Sequence, residues 1–233
     1  MTRTSLAQLL AQEVTQWKST GFLSNVPEVS EILAFQSRED GSLRFLRKAQ
    51  LSAIETYLYL RICKNTAHTY DIYRELCGDK LLEALHIPLD NADITSIALK
   101  GGQEAILETI RNDDDFVKKY SLEAVREMMD LQYSSYILAL AMGAGKTTLI
   151  GAIIAIEFAL AIETTDDRFL KNALVFARGT TIFRALREIQ ALPFEKILPP
   201  RFYKKFITSV RFVIANESKE LPILEGSNFH IVI

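Results

Sequence analysis

The 233-residue chain has little cysteine, little histidine and no surplus of positive charge. Its two cysteines, Cys63 and Cys77, lie in apolar, helix-patterned surroundings. They read as free buried thiols of a reducing, cytoplasmic compartment, which excludes a disulfide framework. The three histidines are scattered without the spacing of metal ligands. Lysine and arginine total 27 against 29 acidic residues, a net charge of -2. Any nucleic-acid contact must therefore come from local patches. The N-terminal MTRTSLAQLL lacks the apolar core of a signal peptide. The apolar run 149–162 is too short to cross a bilayer, so no membrane partner is expected. Internal repeats and low-complexity tracts are missing, and so is any Asp-Glu dipeptide. What remains is ordinary globular composition, 48% hydrophobic and 24% charged, enough for one large domain or two small ones.

The stretch that organises this composition is YILALAMGAGKTTLI, residues 136–150. An apolar run at 137–140 predicts a short strand. Met142, Gly143, Ala144, Gly145, Lys146, Thr147 and Thr148 follow, and then an apolar helix. Strand, glycine turn, Lys-Thr and helix form the order of a phosphate-binding loop. The glycines let successive backbone N–H groups converge, and the helix adds the positive end of its dipole. In this reading Lys146 reaches the β- and γ-phosphates of ATP, and the Thr147 hydroxyl is a ligand of Mg²⁺. The general pattern has glycine where this chain has Leu140.

Periodicity predicts helices over 5–18 and from Pro27 through Phe35, with a polar turn at 37–42. A helix is strongly marked from Gln50 to Cys63. The amide of Gln50, near its start, has the donor and acceptor to read the N6 and N7 edge of adenine, with Arg47 beside it. One or two helices over 69–85, broken at Gly78-Asp79, precede a weak strand at 94–99 closed by Gly101-Gly102. Three short helices follow at 103–111, 113–119 and 121–129. The run Asp113-Asp114-Asp115 reads as a solvated helix cap rather than a metal site. Beyond the loop helix, strands are expected at 173–177, 210–215 and 229–233, with a helix over 182–192. Alternating strands and helices imply a parallel sheet covered on both faces, with nucleotide at the strands' carboxyl ends. Arg178, Gly179, Thr180 and Thr181 form a turn whose helix N-terminus suits a backbone phosphate, with Arg184 and Arg187 near that end. Arg201, Lys204 and Lys205, interleaved with Phe202, Tyr203 and Phe206, read either as a second nucleic-acid patch or as a solvated basic helix.

With these motifs in place, the chain from residue 43 onward resembles superfamily 2 helicases of the DEAD/DEAH type, and most of all the type III restriction enzyme res-subunit group. The segments that carry the likeness are Leu46-Arg47-x-x-Gln50, Ala141-Met142-Gly143-Ala144-Gly145-Lys146-Thr147 and Ala177-Arg178-Gly179-Thr180-Thr181. In that family the loop often dispenses with the leading glycine, and the third motif grips the nucleic-acid backbone. Many relatives carry proline at the position of Arg178. The resemblance implies an α/β, RecA-like P-loop NTPase domain over 131–233, incomplete and preceded by a mainly helical region over 1–130. Part of that region is a helical insertion of about ninety residues between Gln50 and the loop. It further implies an ATP-dependent helicase or translocase acting on DNA more than RNA, with a possible nuclease activity and a modification (methyltransferase) subunit as partner. The nearest match to the family's acidic motif is Phe212-Val213-Ile214-Ala215-Asn216-Glu217, also readable as a strand and polar turn. The expectation is therefore an N-terminal part of a longer enzyme that binds ATP without hydrolysing it alone. Two rivals stand beside it: a P-loop small-molecule kinase or transferase, and a non-catalytic nucleotide-binding remnant.

Overall fold

A computed structural model describes residues 5–164, 166–176, 180–213, 226 and 228–233, with only the backbone at 180 and 181. Eleven α-helices and a three-stranded sheet occur among these residues. The chain divides into two units, Met1–Trp17 with Tyr59–Ile137, and Lys18–Leu58 with Leu138–Ile233. The division does not follow the expected boundary at residue 130, because residues 18–58 belong with the loop half.

The first unit takes in most of α1 (Leu6–Ser19), the end of α3 (Lys48–Ile62), and α4 (Thr69–Cys77), α5 (Leu81–Ala84), α6 (Ala92–Asn112), α7 (Asp114–Tyr120) and α8 (Glu123–Asp130). Its core gathers Leu81, Leu85, Ile94, Ile106, Ile110 and Val117. The strand expected at 94–99 is a helix instead. The Asn91 side chain caps α6 by accepting from the Asp93 N–H at 2.9 Å. Ile94, Ile97 and Ala98 then meet the core at helical spacing, leaving Leu99 outside. Gly101 and Gly102 kink α6 rather than close a strand, and Gly102 takes φ +65°. Asp113 caps α7 through the Phe116 N–H, and Asp114 pairs with Arg126. The triple-aspartate run is thus capping chemistry. Both cysteines are free, but Cys63 is exposed and Cys77 half-buried, so neither is the fully buried thiol expected.

The second unit is built around α9 (Lys146–Thr164), which buries residues on every side, from Leu149 through Phe158 to Ala161. A helix that is apolar all round must be enclosed. Helix α2 (Pro27–Phe35) and α11 (Pro200–Ser209) pack on it. At 19 residues, α9 is longer than the apolar run suggested and has the length and hydropathy of a membrane span. Most of it is buried within the protein, as in a core helix. Inside the unit, Glu157 of α9 is fully buried and accepts from the Tyr57 hydroxyl at 2.8 Å and the Leu170 N–H at 2.9 Å.

Strands β1 (Asn172–Leu174), β2 (Arg211–Val213) and β3 (His230–Val232) are all parallel, in the order β1-β3-β2. The central β3 is buried at every residue. The expected coverage of both faces fails at the β1 edge, where Leu174 and Phe176 stay exposed. The strand expected at 137–140 is also missing: these residues have no regular structure and pair with no described strand, and Ile137 is 91% exposed. A short apolar run becomes a strand only where an edge is available to pair with it. α10 (Thr180–Arg187) follows β1 and continues as a 3-10 turn to Ala191.

The second basic patch resolves into an ion network. Arg201 meets the Glu31 carboxylate at 2.6–3.0 Å and also pairs with Glu163, which Lys205 pairs with too. Phe202 and Phe206 are in the core. The Arg201 hydrogen bond holds Glu31 below the usual carboxylate range, and the Lys205 hydrogen bond does the same for Glu163. Depressed carboxylates stabilise the fold above their unfolded pKa, about 4.3, and lose that contribution as pH falls through the folded values. Solvent screening keeps the effect below about 1 kcal/mol. Arg201→Ala should therefore lower the melting temperature at pH 7 and by less at pH 3. An equal loss at both would assign the effect to packing against Phe202.

Candidate phosphate-loop site

The loop residues 141–145 lead directly into α9. Gly143 and Gly145 have φ of +73° and +78°, a region that favours glycine. At Gly145 a Cβ would stand 2.5 Å from Gln50 Nε2, so the missing side chain also makes room. The Leu149 N–H donates to Gly145 O at 3.1 Å, closing the first turn of α9. Among the described residues, the N–H groups of Gly145, Lys146, Thr147 and Thr148 donate to no acceptor. Four free donors at the start of a 19-residue helix form the partial positive charge that an anion meets. Lys146 is exposed and, among the described residues, makes no ion pair or hydrogen bond. Thr147 and Thr148 are half-buried, and Met142 is 95% exposed.

The start of α3 holds the other side of the loop. Gln50, the third residue of that helix, accepts from the Arg47 backbone N–H through Oε1 at 2.8 Å, one half of a capping box. Its Nε2 donates to Ala144 O at 3.0 Å and Gly145 O at 2.9 Å. Arg47 Nη1 donates to Gly143 O at 2.6 Å. Arg47 and Gln50 stand together at the loop, but the adenine edge expected for the Gln50 amide meets a different arrangement. Here Gln50 is 3% exposed and both its amide hydrogens are on loop carbonyls. No donor is left for a base in this arrangement. The signal that was available was its place three residues after the helix cap.

Arg178 and Gly179, together with Asn216 and Glu217, lie outside the described residues. Thr180 and Thr181 open α10, where a helix N-terminus was expected. Arg184 and Arg187 are not at that end: they occupy the last turn, and Arg187 lies over the Phe183 ring at 4.9 Å. Among the described residues, no group of three acidic, histidine or cysteine side chains could hold a metal ion. The half-buried Thr147 hydroxyl, without a described partner, fits a Mg²⁺ that is bound mainly through nucleotide phosphates. Comparison with family models, curated proteins and solved structures found no match to this chain.

Proposed function

We propose that the loop from Gly143 to Thr148 binds ATP with Mg²⁺, in an α/β unit of P-loop, RecA-like type. The observation that carries this reading is a set of four N–H groups beside Lys146 at the N-terminus of α9, none of which has a partner among the described residues. Lys146 neutralises the terminal phosphates, the amides hold their oxygens, and the Thr147 hydroxyl would hold the metal. The metal supplies charge neutralisation at the phosphates. Hydrolysis by this class also needs an acidic pair, and the chain has no Asp-Glu dipeptide, so the reading for residues 1–233 is binding.

The wider proposal follows the resemblance: an ATP-dependent DNA helicase or translocase of the type III restriction kind, working beside a modification subunit in the cytoplasm. Its nucleic-acid contact is assigned to Arg178-Gly179-Thr180-Thr181. The test is DNA binding by the protein and by Arg178→Ala across a salt series. The variant should bind more weakly, with a salt slope about one unit shallower, and its ATP-induced thermal shift should be unchanged. A wild-type slope in the variant would place Arg178 away from the backbone path. No DNA binding by the wild type would leave the nucleotide site alone.

A further inference from the structure

We propose that Arg47 and Gln50 are positioning residues that aim the phosphate loop, and that the site therefore selects its ligand by the polyphosphate group and not by the base. The proposal rests on the phosphate-site reading above. Three successive carbonyls, those of Gly143, Ala144 and Gly145, accept from these two side chains. In a planar trans peptide the C=O of one residue points opposite to the N–H of the next. Drawing the Ala144 and Gly145 carbonyls toward α3 therefore turns the Gly145 and Lys146 N–H groups away from it. These are two of the four amides without a described acceptor. The bond to Gly143 O likewise fixes the direction of the peptide that follows the first glycine, whose φ is +73°.

The holder is itself held. Gln50 is fixed by its bond to the Arg47 N–H and is almost fully buried. Its amide cannot leave for a base without releasing two carbonyls. Ala144 O would then lose its described donor, Gly145 O would keep only the Leu149 N–H, and the buried Gln50 amide would lose both its acceptors, so the contacts favour the loop. The loop geometry that a polyphosphate needs is thereby set before ligand arrives, which lowers the ordering cost of binding.

The experiment compares ATP, GTP and inorganic triphosphate, each with Mg²⁺, by calorimetry on the full chain and on four variants. Gln50→Met keeps the length of the side chain and removes its donors. It should weaken all three ligands by the same factor, about tenfold for two neutral hydrogen bonds. Arg47→Met should weaken all three as well, and Arg47→Lys, which can still donate to Gly143 O, should restore them to within about twofold. A role confined to fold stability would not be rescued selectively in this way, because Arg47 is an exposed side chain. A larger loss for ATP than for GTP and triphosphate would overturn the proposal in favour of base reading. Unchanged affinities in both methionine variants would overturn it too. If Gln50→Met does not fold, the Arg47 pair decides alone. Lys146→Ala separates the two levels. If the wild type binds none of the ligands, or binds them independently of Lys146, the phosphate-site reading itself fails.

Discussion

Lys146→Ala should remove the ATP-induced rise in melting temperature expected of the proposed site and leave the melting temperature of the unliganded protein nearly unchanged. The asymmetry follows from where the side chain stands. Lys146 is exposed at the first residue of α9, and among the described residues it has no hydrogen-bond or ion-pair partner. Surface substitutions of this kind change stability by no more than about 0.5 kcal/mol, and alanine is a good helix former. On the proposed reading, the ammonium would face the β- and γ-phosphates of bound nucleotide. Each charge-assisted hydrogen bond lost there costs about 1.5–3 kcal/mol. Two of them amount to a hundredfold or more in affinity, at about 1.4 kcal/mol per tenfold. Differential scanning fluorimetry over an ATP series with Mg²⁺ reads both quantities at once. An ATP shift of wild-type size in the variant would sink the phosphate-loop assignment. A large drop in the unliganded melting temperature would make Lys146 a structural residue.

The glycine turn and the helix start after it were legible because their conformation is set locally. Two glycines, a lysine and two threonines in six residues dictate positive φ, a helix start and free amides together, and Gly143 and Gly145 have the φ values that the pattern requires. Helix α2 was legible for a similar reason, since Pro27 at its first position fixes where it begins. Elements that depend on distant partners were not legible. Arg201 and Lys205 look like a nucleic-acid patch until Glu31 and Glu163, 170 and 42 residues away, fold against them. The run 137–140 is apolar throughout, as a buried strand is, but has no described edge to pair with. At 94–99 the apolar spacing served helix and strand alike, and the Asn91 cap decided it. Gln50 shows the sharper limit. Its chemistry, one acceptor and two donors, was read correctly, but the atoms that use it lie 94 and 95 residues later. Its place three residues after the helix cap points to the bond between its Oε1 and the Arg47 N–H, but nothing local decides between a base edge and a loop carbonyl for its amide hydrogens.

Glu157→Ala should lower unfolding stability by about 3 kcal/mol, the largest effect expected for a change distant from ligand. Glu157 is fully buried in α9, eleven residues beyond Lys146, or about 16 Å along the helix axis. Its two oxygens accept from different parts of the unit, the Tyr57 hydroxyl of α3 and the Leu170 N–H ahead of β1. Removing the carboxylate leaves both donors without these acceptors inside the protein, at about 1–3 kcal/mol each, and opens a small cavity beside them. Glu157→Gln offers a contrast. Its carbonyl can accept from Leu170, while its NH₂ donates to Tyr57, whose hydroxyl can turn to accept. The glutamine variant should therefore lose less than about 1 kcal/mol, if neutral hydrogen bonds suffice. Urea denaturation of the three proteins measures the ranking. A glutamine variant as damaged as the alanine one would show that the negative charge itself is needed at this position. An alanine variant within about 0.5 kcal/mol of wild type would mean that Tyr57 and Leu170 find other partners. Ligand affinity adds an independent check. ATP should still bind folded Glu157→Ala at wild-type affinity, because the carboxylate lies along the helix from the loop and does not touch it.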